Sequence, residues 1–291
     1  MLETKFSHTV IHKNLKADLH LHSRMSDGCL EPAELVHKAA AGGLQLISLT
    51  DHDTVRGVHE AREATRETNC RFISGVELEA FIDQDDNSYS VHILGYGIDE
   101  NDQVLLDALK KIHHARKTRA SKMVSKLNNL GIEITEEEVS AFSRGDAIGR
   151  VHIAQALKEN GVVTHIDEAF QKFIGDNKPA YAAKTVHGPA KIIDLIHSSG
   201  GIAVWAHPYY CQNDALLEPL IDAGIDGLEC YHREFDPQTS RHYFKLAREN
   251  NLIVTGGSDY HGTLEENFKL GDWWFEPEWK SIRRKQTVSP T

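Results

Sequence analysis

The stretch from Leu15 to Asp53, LKADLHLHSRMSDGCLEPAELVHKAAAGGLQLISLTDHD, decides how this chain folds. A short apolar run, a helix-like segment and a second apolar run follow one another, which is typical of strand, helix and strand. Pro32 begins the central segment, and Gly42 and Gly43 end it, as expected at the two ends of a helix. The stretch therefore predicts an α/β fold.

The same alternation extends over most of the chain. Further strands are expected in RFISGVELEAF, SVHILGYGI, GGIAVWAHP, DGLECYH and LIVTGGSDYH. Between residues 101 and 184 the pattern is helical throughout, and Thr135 with Glu138 forms a capping box for one of these helices. We therefore predict an α/β unit made of residues 1–100 and 185–291, with residues 101–184 inserted as an all-helical subdomain.

Composition narrows the class of protein. The 291 residues are 40% hydrophobic and 26% charged, as in ordinary folded domains, and the formal net charge is −11. This charge argues against stable binding of duplex DNA through broad positive potential. No apolar run approaches the roughly 18 residues of a membrane span and no signal peptide is recognisable, so a cytoplasmic protein without membrane contact is expected. The four cysteines form no CxxC pair, which argues against a disulfide framework or a thiolate zinc site.

Many of the 18 histidines lie in predicted strands or at their ends, together with acidic residues. In a strand, residues i and i+2 share a face, so His20 with His22 and Asp259 with His261 should each point two ligands the same way. The carboxyl ends of strands are where α/β barrels and open sheets build their sites. The residues concerned are His20, His22, Asp51, His52, Asp53, Glu77, His92, His207, Asp259 and His261.

The chemistry of this set favours a metal centre. Imidazoles and carboxylates without thiolate suit Mn, Fe or Zn, and there are too many ligands for one tetrahedral ion. The sequence has neither a Gly-rich phosphate loop nor a nucleophilic Ser or Cys motif. Several divalent ions would then favour hydrolysis by a metal-bound hydroxide, with further ions acting on the phosphoryl oxygens.

Other features leave more than one interpretation. Asp53 is expected to cap the following helix, and Glu79 either supports Glu77 or faces solvent. The basic segment from Lys110 to Lys126 predicts a solvated helix face or a surface that steers an anionic strand. Trp273, Trp274 and Trp279 are expected to pack against the α/β unit, with base stacking as the alternative.

The motifs ADLHLHSRMSDG, SLTDHDTVRG, SGVELE, VHILGYGI, AVWAHP and GGSDYHG together resemble the polymerase and histidinol phosphatase (PHP) family of metal-dependent phosphoesterases. The resemblance covers nearly the whole chain and implies a distorted (β/α)7 TIM-like barrel with two or three divalent ions, Mn favoured over Fe or Zn. Glu77 would bridge two ions, and Asp27, His52 and His261 would hold the third. The implied metal ligands are His20, His22, Asp27, His52, Glu77, His92, His207, Asp259 and His261.

The predicted insertion carries IGRVHIAQAL and NKPAYA. With these two motifs the insertion is similar to that of one branch of the family. This branch removes the 3′-phosphate from nucleoside 3′,5′-bisphosphates and trims short RNA 5′ to 3′. The resemblance implies that Arg150, His152 and Lys178 face the substrate phosphate or sugar. The segments HPYYCQND and LECYHRE depart from that branch, which carries HPGRY after its fifth strand.

The predicted function is phosphoester hydrolysis of nucleoside bisphosphates or short oligonucleotides by a metal-bridging hydroxide. Glu77, His207 and Asp259 are the expected catalytic residues, and His207 or Asp259 would orient or shuttle the proton. One alternative is a phosphatase for a non-nucleotide metabolite such as histidinol phosphate. A non-enzymatic alternative is a metal-binding regulatory or polymerase-associated module.

Overall fold

A computed structural model of the chain describes residues 15–85, 87–142, 148–175, 177–182, 187–262 and 268–277. Within these residues, seven strands form a single sheet in which each strand neighbours the next one along the chain. The strands are β1 (Ala17–Leu21), β2 (Leu46–Leu49), β3 (Arg71–Gln84), β4 (Asn87–Tyr96), β5 (Ile202–Trp205), β6 (Gly227–His232) and β7 (Ile253–Gly257).

Helices connect most of the strands. They are α1 (Pro32–Ala41), α2 (Val58–Thr65), α3 (Gln103–Asn129), α4 (Glu136–Phe142), α5 (Arg150–Glu159), α6 (Ile166–Ala169), α7 (Pro189–Ser198), α8 (Leu217–Asp222) and α9 (Pro237–Glu249). Before α4, the Glu138 carboxylate accepts the Thr135 N–H at 2.7 Å and Thr135 Oγ1 accepts the Glu138 N–H at 3.1 Å. The predicted capping box is therefore confirmed. None of the described helices is both long and apolar enough to span a membrane.

The sheet curls into a nearly closed barrel. Its outer strands meet where the His22 N–H donates to the carbonyl of Tyr260 at 2.9 Å. This approach requires glycine at residue 257, because a Cβ atom there would lie 2.1 Å from the Cβ of His20. The neighbouring strands run parallel except for β4, which is antiparallel to both β3 and β5. The predicted α/β barrel is confirmed, and the reversed β4 is its distortion.

The long helix α3 contributes to two hydrophobic clusters. Near its start, Leu105 and Leu109 pack in the large cluster that covers the barrel. Further along, Met123 and Leu127 pack in a separate cluster with residues of α4, α5 and α6. The described residues between 97 and 182 contain no strand, as predicted. The division into a barrel and a helical subdomain stays a prediction.

Candidate metal centre

The nine predicted ligands converge at one end of the barrel. They form four overlapping groups, in each of which one ligand atom per residue lies within 4.8 Å of the others. The groups are His22, Asp27, His52 and His261; His20, His22 and Asp259; His20, Glu77 and His207; and His52, Glu77 and His92. Because His20, His22, His52 and Glu77 each belong to two groups, the cluster is continuous.

Glu77 occupies the centre of this cluster. The sequence predicted it at the end of the third strand. Instead β3 continues to Gln84, because its residues from Gly75 onward pair with β4. The loop after β2 attaches beside it, with the Asp53 N–H donating to the Glu77 carbonyl at 2.8 Å. This attachment brings His52 Nδ1 to 3.1 Å from Glu77 Oε2.

The two carboxylate oxygens of Glu77 face different histidines. Oε1 lies 2.8 Å from His92 Nδ1 and 3.1 Å from His207 Nε2. Oε2 lies 3.3 Å from the Nε2 atoms of both His20 and His22, besides its contact with His52. A carboxylate with a separate imidazole set at each oxygen has the arrangement needed to bridge two cations.

Asp259 and His261 reach the cluster differently from the prediction. They were expected to share one face of a strand, but β7 ends at Gly257 and Asp259 has a left-handed backbone with φ of 54°. The face-sharing argument is therefore wrong, since it holds only for extended backbone. Asp259 Oδ1 nevertheless lies 3.1 Å from His22 Nε2, and His261 Nε2 lies 3.3 Å from Asp27 Oδ1.

The donor atoms fit metal ions. Two ligands of one tetrahedral ion with bonds of about 2.0–2.1 Å lie about 3.3–3.4 Å apart. The distances from His20, His22 and Asp259 to their neighbours in the cluster, 3.1–3.4 Å, lie near that spacing. His20 Nε2, both ring nitrogens of His22 and Glu77 Oε2 are also buried without a hydrogen-bond partner. Buried polar atoms are rarely left in this way unless an ion or water satisfies them.

The carboxylates and imidazoles of the cluster shift one another's pKa values. Burial alone would raise the pKa of Glu77, but the imidazoles around it, His52 and His92 foremost, outweigh burial and hold its pKa well below the ordinary value. Burial lowers the pKa of His52 to about 4, whereas Asp259 and Glu77 outweigh burial at His22 and raise its pKa to about 10. A metal-binding histidine must be neutral and a metal-binding carboxylate ionised, so a cation bound here would displace the proton of His22.

Sequence reasoning missed Glu229 of β6. Its carboxylate is fully buried, lies 3.1 Å from His20 Nδ1 and accepts the backbone N–H of His207 at 2.7 Å. It therefore orients two predicted ligands from behind, the role that a carboxylate commonly plays beside a metal-binding histidine. The available signal was an acidic residue inside the apolar run DGLECYH, because a strand buries such a residue only when it is paired.

Asp51 supports the centre in a similar way. Its carboxylate accepts the backbone N–H of Ser23 at 2.7 Å and the hydroxyls of Ser23 and Ser26 at 2.7 and 2.6 Å. These bonds fix the turn that leads from His22 to Asp27. Asp51 thus holds the loop that carries a predicted ligand.

Asp53 has a role that the sequence did not indicate. It was expected to cap a helix, but the N-cap of α2 is Gly57. Asp53 instead forms a buried ion pair with Arg116 of α3, and its carbonyl oxygen lies 2.8 Å from His113 Nε2. Arg116 also lies 3.7 Å from Glu79. Part of the basic helix is therefore tied to the loop that carries His52.

The three predicted substrate residues lie on the helical segment. His152 of α5 is buried, and it is close enough to Asp27 and Arg116 for both to influence its pKa, which burial lowers. The Arg150 guanidinium lies 5.7 Å from the centroid of the Phe170 ring. Lys178 is exposed. The structure thus brings His152 towards the ligand cluster, while the Arg150 guanidinium lies near a ring of the helical segment.

A nearly closed α/β barrel that gathers nine imidazole and carboxylate side chains in one cluster has the architecture of a metal-dependent hydrolase. Residues 18–230 match the model of the PHP domain, and the chain belongs to this family.

Relatives and a solved structure agree with this assignment. The chain is 32% identical over 260 residues to the 3′,5′-nucleoside bisphosphate phosphatase of Chromobacterium violaceum, a match that covers 87% of this chain and 90% of the relative. It is also 32% identical over 251 residues to a 5′-3′ exoribonuclease of Haemophilus influenzae, covering 84% and 90%. The structure of an amidohydrolase from Chromobacterium violaceum, solved with bound sulfate and no metal, superposes with a TM-score of 0.76 at 32% identity, covering 86% of this chain and 89% of that one.

Proposed function

We propose that this protein hydrolyses phosphate esters of nucleotides, removing phosphate from nucleoside 3′,5′-bisphosphates and trimming short oligonucleotides from the 5′ end. The observation that carries the proposal is the convergence of nine ligands around Glu77, in a chain similar over most of its length to a bisphosphate phosphatase and an exoribonuclease. Phosphorylated small molecules and short oligonucleotides are then its expected partners.

Two or three divalent ions would fit the cluster, whose mixed imidazole and carboxylate donors suit Mn²⁺, Fe²⁺ or Zn²⁺, and Mn²⁺ is the ion expected from the family resemblance. Glu77 with His92 and His207, Glu77 with His20, His22 and Asp259, and Asp27 with His52 and His261 would hold them. Bound there, the ions would activate water and neutralise charge on the phosphoryl oxygens.

The remaining roles fall to side chains of the protein. His207 Nε2 lies 3.1 Å from Glu77 Oε1 and Asp259 Oδ1 lies 3.4 Å from His20 Nε2, and either residue would orient or shuttle the proton that is transferred during hydrolysis. His152 Nδ1 accepts the N–H of Gly149 at 3.1 Å, so the neutral ring carries its proton on Nε2 and can donate it to a phosphate oxygen. Arg150 lies on the same helical turn as His152 and offers a planar fork of donors for a second phosphate. Lys178 offers a further positive charge.

The helical segment formed by residues 101–184 is proposed to cover the metal centre as a subdomain. His113 and Arg116 support this placement because they contact Asp53, the residue after His52. Substrate would then lie between the strand ends and the first turn of α5. The cytoplasmic location stays a prediction.

Phosphate release from a set of substrates in Mn²⁺ tests the proposal. The substrates are a nucleoside 3′,5′-bisphosphate, a 5′-monophosphate, histidinol phosphate and a short 5′-phosphorylated RNA. We expect the bisphosphate or the RNA to be the best substrate. His20→Ala and Asp259→Asn should each reduce turnover by more than about 100-fold, because they remove ligands.

His37→Ala is the matched control, since His37 lies on the exposed face of α1 and should leave turnover unchanged. Preferred hydrolysis of histidinol phosphate would favour the metabolite phosphatase instead. Metal binding without turnover of any substrate would favour a regulatory module.

A further inference from the structure

A short turn places two tyrosines beside the metal centre. Directly after His207, residues Pro208–Cys211 form one turn of 3₁₀ helix. The turn lies between two left-handed residues, His207 with φ of 30° and Gln212 with φ of 48°. Such backbone is retained only where the surroundings hold it in place. The direction of Tyr209 and Tyr210 is therefore fixed relative to a predicted metal ligand.

Both tyrosine side chains are open to solvent. Tyr209 is 42% exposed and Tyr210 is 48% exposed. The Tyr210 ring centroid lies 5.0 Å from that of His207 and 6.0 Å from that of His232. Its hydroxyl donates to Glu234 Oε2 at 2.7 Å. The ring is thus held at its hydroxyl end and along one side, while about half of its surface faces the space outside the cluster.

A packed aromatic layer supports the pair from below. The Tyr209 ring lies 5.7 Å from Phe235, which in turn lies 5.6 Å from the buried Tyr243 and 5.1 Å from His232. Tyr209 and Tyr210 lie 6.2 Å apart at an angle of 59°, so they do not cover each other face to face. Their exposed surface is therefore supported by packed rings and accessible to a planar ligand.

The charges nearby favour an uncharged ligand at this position. Glu234 accepts the Tyr210 hydroxyl and lies 3.8 Å from Arg233, so the two charges at this edge offset each other. A second phosphate would find better partners on α5, where Arg150 and His152 lie. The tyrosine side of the centre suits the apolar, planar part of a substrate.

We propose that Tyr210, supported by Tyr209, forms a stacking surface for the base of a nucleotide whose phosphate lies at the metal centre. Aromatic side chains stack with any base, because every base has a π face. The surface would therefore favour nucleotides over sugar phosphates without selecting one base strongly. The inference rests on the proposed function and adds a determinant of substrate class to it.

Two ligands that differ only in the base test the proposal. Binding of adenosine 5′-monophosphate and of ribose 5-phosphate to the Mn²⁺-loaded protein is measured by calorimetry and, independently, as inhibition of phosphate release. We expect the wild type to bind the nucleotide at least about tenfold more tightly, as one stacked base implies. Tyr210→Ala should abolish most of this preference, Tyr209→Ala should reduce it, and Tyr210→Phe should retain it.

Trp274→Ala is the matched control. Trp274 is also exposed, at 37%, but it lies over Lys16, where β1 begins, at the end of the barrel away from His22. This variant should bind both ligands as the wild type does, and thermal unfolding should show that all variants remain folded.

The outcomes separate the inference from the proposed function. An unchanged preference in Tyr210→Ala would overturn the stacking surface while leaving nucleotide hydrolysis intact. Equal weakening of both ligands in Tyr210→Ala would also overturn it, since the residue would then act at the phosphate or the sugar. A wild type that hydrolyses no nucleotide and binds both ligands equally would overturn the inference together with the proposed function.

Discussion

Replacing Arg116 by methionine should destabilise the protein, because it leaves the buried carboxylate of Asp53 without its guanidinium. The Asp53 side chain is 2% exposed and that of Arg116 is 18% exposed, so water cannot readily replace the lost partner. Glu79, 3.7 Å from Arg116, would lose the same guanidinium. Removing one member of a buried ion pair typically costs about 3–5 kcal/mol of the free energy of unfolding.

For a chain of this size, that loss corresponds to a fall in Tm of about 6–20 °C, at about 2–4 °C per kcal/mol. The measurement is thermal and urea unfolding, followed by circular dichroism in EDTA so that metal binding does not contribute to stability. Arg66→Met is the matched control. Arg66 is 73% exposed and pairs with Glu63 on the surface of α2, where an ion pair stabilises little.

The double variant Asp53→Asn with Arg116→Met decides whether the loss comes from the pair. Its loss of stability should be clearly smaller than the sum of the two single losses, since it leaves no lone buried charge. A Tm for Arg116→Met within about 2 °C of the wild type, or strictly additive losses, would refute the reasoning. The contact would then be an incidental one between α3 and the loop after β2.

Three further outcomes are expected. Glu229→Gln should weaken Mn²⁺ binding by about 10–100-fold in calorimetry, because it removes the carboxylate that contacts His20. The control Glu249→Gln on α9 should bind Mn²⁺ as the wild type does. Equal affinities of the two variants would contradict the role of Glu229. Mn²⁺ should raise the Tm relative to protein in EDTA, because it binds the folded state; at a free Mn²⁺ concentration of 100 times Kd, one site adds about 2.7 kcal/mol to the free energy of unfolding. An unchanged Tm would argue against metal binding by the folded protein. Arg150→Ala should reduce kcat/KM for a bisphosphate at least about tenfold, equivalent to about 1.4 kcal/mol, but spare p-nitrophenyl phosphate; equal losses on both would place Arg150 at the reacting phosphate.

The ligand positions could be predicted from sequence because they depend on local backbone. His20 and His22 lie at the end of one short apolar strand, and His207 follows another. Once the alternation of strands and helices indicates a barrel, strand ends must meet at the same rim. No side-chain contact between distant segments is needed for that argument.

Two ligands reach the rim for reasons that periodicity could not provide. Glu77 lies in the middle of a strand because β3 continues into a long hairpin with β4, and the loop carrying His52 attaches beside it. Asp259 turns inward through left-handed backbone, not through strand alternation. The residue types indicated the chemistry, but the backbone path depends on closure of the barrel around His20.

Residues that act behind the ligands were beyond sequence reasoning. Glu229 is 209 residues from His20 along the chain, and Arg116 of α3 is 63 residues from Asp53. Each pair forms only because the barrel and α3 have packed. A buried carboxylate signals that some partner exists, but the sequence does not show which one.

The aromatic residues show most clearly how position in the fold decides a role. Trp273, Trp274 and Trp279 were the candidates for base stacking in the sequence. Trp274 lies under Lys16, next to the start of β1, and Trp273 packs near Phe275. Trp279 lies outside the described residues. In the sequence, Tyr209 and Tyr210 are distinguished only as part of HPYYCQND, a segment that departs from the related branch, but they follow the strand that ends at the metal centre. Stacking energy is similar for all of these rings, so the distance from the ligands, and not residue type, determines which of them can contact a substrate.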